Sequence, residues 1–285
     1  MGGELVSKRI RAFLRDVPAF AHWYVSEHGG IKDTFFRSTR TITSPSEKFL
    51  LELGGALRSR PSGFRERWSA LDRSTFSAQQ QYLKEIPFCD LEVFRVLQER
   101  IPAQSDIHLA NSTAARYVQL FPPRHDVRIF CNRGTSGIDG CTSTAVGAAW
   151  ASGRPTTLIT GDVAFCYDGN AFWNPYRPAA LRVVVIDNGG GNIFRIIEGP
   201  GSDEGTLPYF ETSHDRDPAD LARCWGARVL EADGPASLDK ALDELYGAQD
   251  ELAILVVRTR ADVSPRILKA HFDAIRANVA SPSSM

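Results

Sequence analysis

Cysteine is scarce and unpatterned in this chain. Cys89, Cys131, Cys141, Cys166 and Cys224 are scattered through 285 residues with no C-x-x-C pair. That argues against zinc and iron–sulfur sites and for buried thiols in a reducing cytoplasm. No apolar run approaches the ~20 residues of a membrane span. The opening MGGELVSKRIR holds no apolar signal core, so no export is expected, and it reads as an entry partway into a larger protein. Charge excess is missing too: 33 Lys and Arg face 34 Asp and Glu, a net charge of −1. Partners such as nucleic acid or an anionic membrane are therefore not expected. The six histidines (His22, His28, His108, His125, His214, His271) show no metal-ligand spacing, and neither H-E-x-x-H nor G-x-S-x-G occurs. Structural or solvated roles are expected for all six, and no side chain stands out as an acid–base catalyst.

What remains is an ordinary globular composition, 43% hydrophobic and 24% charged. The length suffices for one large domain and a small second one. Residues 1–45 hold a basic amphipathic helix within Glu4–Leu14 (Ile10, Phe13 and Leu14 on one face). Short strands are expected at Ala21–Val25 and Arg40–Ile42. Residues 46–104 read as a helical linker. Ser44 or Ser46 would cap a helix lined by Phe49, Leu50, Leu53 and Leu57, followed by helices over Gly63–Leu71, Thr75–Lys84 and Phe88–Arg100. Residues 105–280 alternate regularly. Strands are predicted at Asp106–Ala110, Val127–Cys131, Thr156–Thr160, Arg182–Asp187, Ala227–Glu231 and Leu252–Arg258. Helices are predicted at Thr113–Phe121, Gly137–Ala151, Gly169–Trp173, Pro218–Trp225, Ala236–Gly247 and Pro265–Asn278. This is an α/β pattern: a Rossmann-like parallel six-stranded sheet with helices on both faces. The Ser/Pro-rich residues 281–285 are expected to be a disordered tail.

The chain is organised around Thr156–Phe194. Two buried strands end at Gly161-Asp162 and at Asn188-Gly189-Gly190, with the Asp and Asn 26 positions apart. Ligands of open α/β sheets bind at the carboxyl ends of such strands. A carboxylate, an amide oxygen and backbone carbonyls make a hard-oxygen set for Mg²⁺ with a phosphate. The plainer reading is a turn aspartate and an Asn-Gly turn. Ser136 and Gly137 precede a helix of small residues, which Ser136 can cap. Ser112 and Arg116 lie four apart after one strand and Arg133 follows the next. Two guanidiniums converging on a cleft would clamp a dicarboxylate; each alone would be a solvated surface charge.

Together NRGTSGIDGCTSTAVGAA (Asn132–Ala149), GDVAFCYDGNAF (Gly161–Phe172) and NGGGNIF (Asn188–Phe194) resemble the thiamine-diphosphate enzymes. Within them the words look like those of MenD, the menaquinone-pathway synthases that make 2-succinyl-5-enolpyruvyl-6-hydroxy-3-cyclohexene-1-carboxylate. One departure is Val163, where the diphosphate motif usually has Gly. The resemblance implies the C-terminal, diphosphate-binding domain of a transferase, preceded by a remnant of a middle domain. The implied cofactors are thiamine diphosphate and Mg²⁺ or Mn²⁺, with the metal held by Asp162, Asn188 and the Gly190 carbonyl. Ser136, Gly137, Ile138, Gly161, Val163, Ile193 and Phe194 would surround the cofactor, Ile138 wedged beneath it. Ser112, Arg116, Arg133, Lys8 and Arg9 would meet the substrates, 2-oxoglutarate and isochorismate. The activating glutamate is implied to come from a pyrimidine-binding domain of a neighbouring subunit in a homodimer or homotetramer. No catalytic residue is thus expected in this portion, and little turnover without that domain. The alternatives are one subunit of a split decarboxylase or acetolactate-synthase-like enzyme, and a non-catalytic scaffold with a decayed cofactor site.

Overall fold

The computed structural model describes residues 5, 7–17, 21–30, 32–58, 61–197, 199, 201, 203, 205–247 and 251–280. The expected tail, 281–285, lies outside them. The chain divides into two compact units, residues 1–67 and 68–285.

In the first unit, helix α1 (Lys8–Asp16) starts on Ser7, whose hydroxyl accepts from the Ile10 N–H. Strands β1 (Trp23–Ser26) and β2 (Arg40–Thr43) pair in parallel. Helix α2 (Ser46–Ala56) follows, and here the expected serine cap is absent. Pro45 occupies the cap position, no side chain bonds the free N–H groups, and Ser44 Oγ turns to the Pro45 carbonyl. Phe49 and Leu53 are half-buried, whereas Leu50 and Leu57 are exposed. Helix α3, most of which belongs to the second unit, is one continuous element, Phe64–Leu83. Two helices were expected there, but no Gly or Pro interrupts the stretch.

In the second unit, α4 (Asp90–Arg100) buries Leu91, Phe94 and Leu97. Then follow β3 (Asp106–Leu109), α5 (Thr113–Val118), β4 (Arg128–Cys131), α6 (Cys141–Ser152), β5 (Thr156–Gly161), α7 (Asp162–Tyr167) and a 3₁₀ turn at Gly169–Phe172. After them come β6 (Leu181–Asp187), α8 (Ile193–Ile196), α9 (Leu207–Glu211), α10 (Pro218–Cys224), β7 (Arg228–Ala232), α11 (Pro235–Gly247), β8 (Ala253–Arg258) and α12 (Ser264–Ala280). The six strands β3–β8 are parallel, in the order β4-β3-β5-β6-β8-β7. Both faces are covered, as a near-continuous apolar run such as Leu181–Ile186 requires. Val184 and Ile186 pack with residues of α4, α5, α11 and α12; Val183 and Val185 pack with residues of α6, α7 and α10.

Two local expectations fail. Helix α6 begins at Cys141, not Gly137, because Gly140 stands at φ +70 in its N-cap position. Ser136 does not cap it: its hydroxyl bonds the Arg133 carbonyl. Asp168 reaches α6 from another segment instead, accepting from the Ser143 N–H (2.7 Å) and hydroxyl (2.6 Å). Secondly, Asp162 is not a turn residue but the first residue of α7, with Gly161 extended before it. A carboxylate there also suits the positive end of the helix.

Candidate functional site

The order of the strands defines where a ligand would sit. From β3 the chain steps outward to β4, then returns to the other side of β3 as β5. The carboxyl ends of β3 and β5 therefore flank the switch point where open α/β sheets form a crevice. The register sets Gly161 of β5 beside Ile186 of β6, so Asp162 and Asn188 leave neighbouring strands almost level. A cavity of about 300 Å³ opens there, lined by segments that follow β3, β4, β5 and β6.

Asp162 is buried and tied to both loops. One carboxylate oxygen accepts from the Val163 N–H (2.7 Å), the other from the Gly190 N–H (2.8 Å). His214 Nε2 lies 3.3 Å from that second oxygen. Burial, with the nearby Asp187 charge adding to it, pushes the Asp162 carboxyl up to about 6; the bonds from Val163 and Gly190 and the nearness of His214 oppose the rise. Asn188 is buried, with Nδ2 donating to Asp90 Oδ2 at 3.0 Å and Oδ1 left without a partner. Asn192, 2% exposed, has neither amide atom bonded.

The glycine run exists because a second segment presses on it. Gly191 donates to the Glu211 carbonyl at 2.5 Å. A Cβ on Gly190, which stands at φ +152, would meet that same carbonyl oxygen at 2.9 Å. No other residue type fits. Glu211 is buried and held by the Arg195 guanidinium (Nη2 to Oε2 2.8 Å), so α9 is clamped over the loop.

Cations face this end. Arg133 Nη1 donates to Asn111 Oδ1 at 2.7 Å, while its buried Nε has no partner. Asn111 in turn holds the β4 loop by donating to the carbonyls of Asn132 (2.8 Å) and Gly137 (2.6 Å). Arg116 makes no hydrogen bond or ion pair among the described residues; burial, then the Arg133 charge, lowers its guanidinium below the usual range. Backbone strain gathers here as well. Ser112 (φ 71), Ser136 (φ 64) and Thr212 (φ 53) are non-glycine residues in the left-handed region, and all three line the cavity. Such conformations persist where the surroundings impose them, often at ligand sites.

The cavity thus gathers Ser112, Arg116, Arg133, Ser136, Ile138, Gly161, Asp162, Val163, Asn188, Gly190, Ile193 and Phe194. Gly137 is not among its walls and contributes its carbonyl to Asn111. Lys8 and Arg9 open α1 in the first unit. Four contributors escaped the reading of the sequence: Asp90, Asn192, Glu211 and His214. Sequence alone gives His214 a structural or solvated role, yet it stands against Asp162; no spacing rule connects them. Asn192 did offer a signal, being a lone amide closing a glycine run.

The donor set suits a hard divalent cation. Asp162 offers a carboxylate, Asn188 an unpartnered buried amide oxygen, and Gly190 a carbonyl that takes one bond from the Asn192 N–H (2.9 Å) and keeps a second lone pair. Among the described residues no three His, Cys, Asp or Glu side chains converge as a metal cluster. No helix among them is long and apolar enough to cross a membrane.

A family model described as thiamine pyrophosphate enzyme, C-terminal TPP binding domain, matches residues 108–257. Curated relatives bear the name 2-succinyl-5-enolpyruvyl-6-hydroxy-3-cyclohexene-1-carboxylate synthase. One from Flavobacterium johnsoniae is 39% identical over 271 residues, 95% of this chain and 49% of that protein. Another, from Flavobacterium psychrophilum, is 38% identical with the same 95% and 49% shares. A third, from Porphyromonas gingivalis, is 34% identical over 96% of this chain and 49% of its own length. The chain therefore spans about half the length of the curated relatives it matches. Among solved structures, benzoylformate decarboxylase from Polynucleobacter necessarius superimposes with a TM-score of 0.61 at 15% identity, covering 86% of this chain and 45% of that one. That likeness speaks for the fold alone.

Proposed function

We propose that this chain, which belongs to the thiamine pyrophosphate enzymes and carries their C-terminal TPP-binding domain, is the diphosphate-binding part of a synthase like its curated relatives. The reaction proposed is decarboxylation of 2-oxoglutarate and addition of the remaining four-carbon unit to isochorismate. One observation carries this reading. A single cavity holds a hard-oxygen donor set and two guanidiniums, Arg116 and Arg133, that have no carboxylate partner among the described residues.

Asp162, Asn188 Oδ1 and the Gly190 carbonyl would hold Mg²⁺ or Mn²⁺, and through it the diphosphate. Ile138, Ile193 and Phe194 line the cavity and would give the bound cofactor apolar contacts. When bound, thiamine diphosphate supplies the carbon nucleophile for decarboxylation and carbon–carbon bond formation. Arg116 and Arg133 would orient substrate carboxylates by charge-assisted bonds, with Ser112 beside them. Lys8 and Arg9 are proposed as further substrate-binding residues. The activating glutamate would come from a pyrimidine-binding domain in a homodimer or homotetramer. A cytoplasmic setting is proposed as well, for which the five free thiols speak.

The test is reconstitution with a pyrimidine-binding half taken from a relative. Carbon dioxide release from 2-oxoglutarate should appear only in the mixture and should rise with isochorismate. Release from pyruvate or benzoylformate in preference to 2-oxoglutarate would contradict the proposal.

A further inference from the structure

The amide of Asn188 is held from behind. Its Nδ2 donates to Asp90 Oδ2 at 3.0 Å, and Thr259 Oγ1 donates to Asp90 Oδ1 at 2.5 Å. The Asp90 N–H donates to Ser264 Oγ at 3.0 Å, and the Thr259 N–H donates to the Asp187 carbonyl at 2.9 Å. Asp90 is 1% exposed at the first position of α4. Thr259 follows β8 and Ser264 opens α12; the first holds the Asp90 carboxyl group and the second its backbone N–H.

A primary amide presents donors on one side and an acceptor on the other. Ionised, Asp90 Oδ2 offers Asn188 only lone pairs; burial raises this carboxyl, and the bonds from Thr259, Ser264 and Asn188 oppose that rise. The nitrogen therefore faces Asp90, which leaves the buried oxygen without a protein partner in a residue that lines the cavity. Without Asp90 the amide could rotate by half a turn and offer its NH₂ group to a cation, which cannot bind it. We propose that Asp90, steadied by Thr259, is the positioning residue that keeps Asn188 Oδ1 aimed at the divalent cation; this rests on the metal–diphosphate reading of the cavity. Outer-shell partners of this kind govern metal affinity by holding ligand orientation.

The rival account is that the Asp90 charge attracts the cation through space. Asp90→Asn separates the two, because an isosteric amide can accept from Asn188 Nδ2 through its oxygen and donate to Thr259 Oγ1, with no charge. Asp90→Leu removes both functions. The experiment is a calorimetric titration of Mg²⁺ into the full 285-residue chain at saturating thiamine diphosphate, with the melting temperature of the metal-free chain followed in parallel. Half-saturation should rise about 10–100-fold in Asp90→Leu and stay within about 3-fold of the parent in Asp90→Asn, whatever the melting temperatures do. If Asp90→Leu fails to fold, Thr259→Val, which frees the Asp90 carboxylate to turn, should shift half-saturation in the same direction by roughly 3–10-fold. Unchanged Mg²⁺ dependence in Asp90→Leu, or in Thr259→Val where Asp90→Leu does not fold, overturns the proposal and leaves the cavity reading standing. Equal weakening in Asp90→Asn and Asp90→Leu overturns it in favour of charge. A parent chain that shows no Mg²⁺-dependent binding overturns the cavity reading itself, and this proposal with it.

Discussion

At the amino edge of the sheet, Asp106 takes two bonds from Arg128 (2.7 and 2.5 Å) and a third from Arg154 (3.2 Å). Nearby, Arg182 donates to the Leu245 and Ala179 carbonyls, and Arg228 pairs with Glu244 and Glu251. At the carboxyl edge, on the side of β4, β3, β5 and β6, the same residue types are treated in the opposite way. Asn188 Oδ1, both amide atoms of Asn192, Arg133 Nε and His214 Nδ1 have no hydrogen-bond partner, and three non-glycine residues stand at positive φ. A buried polar group without a partner costs roughly 1–3 kcal/mol. The amino-edge pairs named here serve stability, whereas the unpartnered groups at the carboxyl edge are the ones the proposed ligand would meet.

The largest contrast should come from removing one carboxylate at each edge. Asp162→Ala should weaken Mg²⁺-dependent binding of thiamine diphosphate by more than about 100-fold, beyond what loss of an outer-shell partner does; calorimetry checks this. Asp106→Ala should leave that binding unchanged. It should instead lower unfolding stability in urea by about 1–2 kcal/mol, a modest figure because the Arg128 and Arg154 partners are half-exposed to solvent.

The two carboxylates should also respond to pH with opposite sign. The Asp106 carboxyl lies below its ordinary value because of the bonds from Arg128 and then Arg154. Its contribution is therefore present above about pH 4 and lost in stronger acid. Asp162, raised by burial to about 6, favours the folded metal-free chain below about pH 4, and that benefit is lost as pH rises through 6. Denaturant midpoints of the metal-free chain should thus decline from pH 4 to 6, and Asp162→Asn should flatten the decline.

The smallest effect is expected at Asn192. Asn192→Leu should stabilise the ligand-free chain by about 1 kcal/mol, since an unbonded buried amide disappears, while weakening cofactor binding several-fold. Stability that falls with binding unaffected would place Asn192 with the amino edge instead.

The alternation of strands and helices made the sheet legible from residue patterns alone, because buried parallel strands such as Arg182–Asp187 are apolar without interruption. The pairing of Asp162 with Asn188 was legible for the same reason: both follow such strands. The helix starts were read less well. Gly140 and Pro45, not the neighbouring serines, occupy the N-cap positions of α6 and α2, and the cap for α6 comes from Asp168, 25 residues on in another element. Asp90, Glu211 and His214 could not be read at all. Each acts through a tertiary contact with no local period, at sequence separations that no motif connects.

The most direct test is titration of thiamine diphosphate into this chain with Mg²⁺ and again after chelation by EDTA. Saturable binding that needs the divalent ion is expected. Equal binding with and without it, or none in either case, would contradict the account of the carboxyl edge as a metal–diphosphate site.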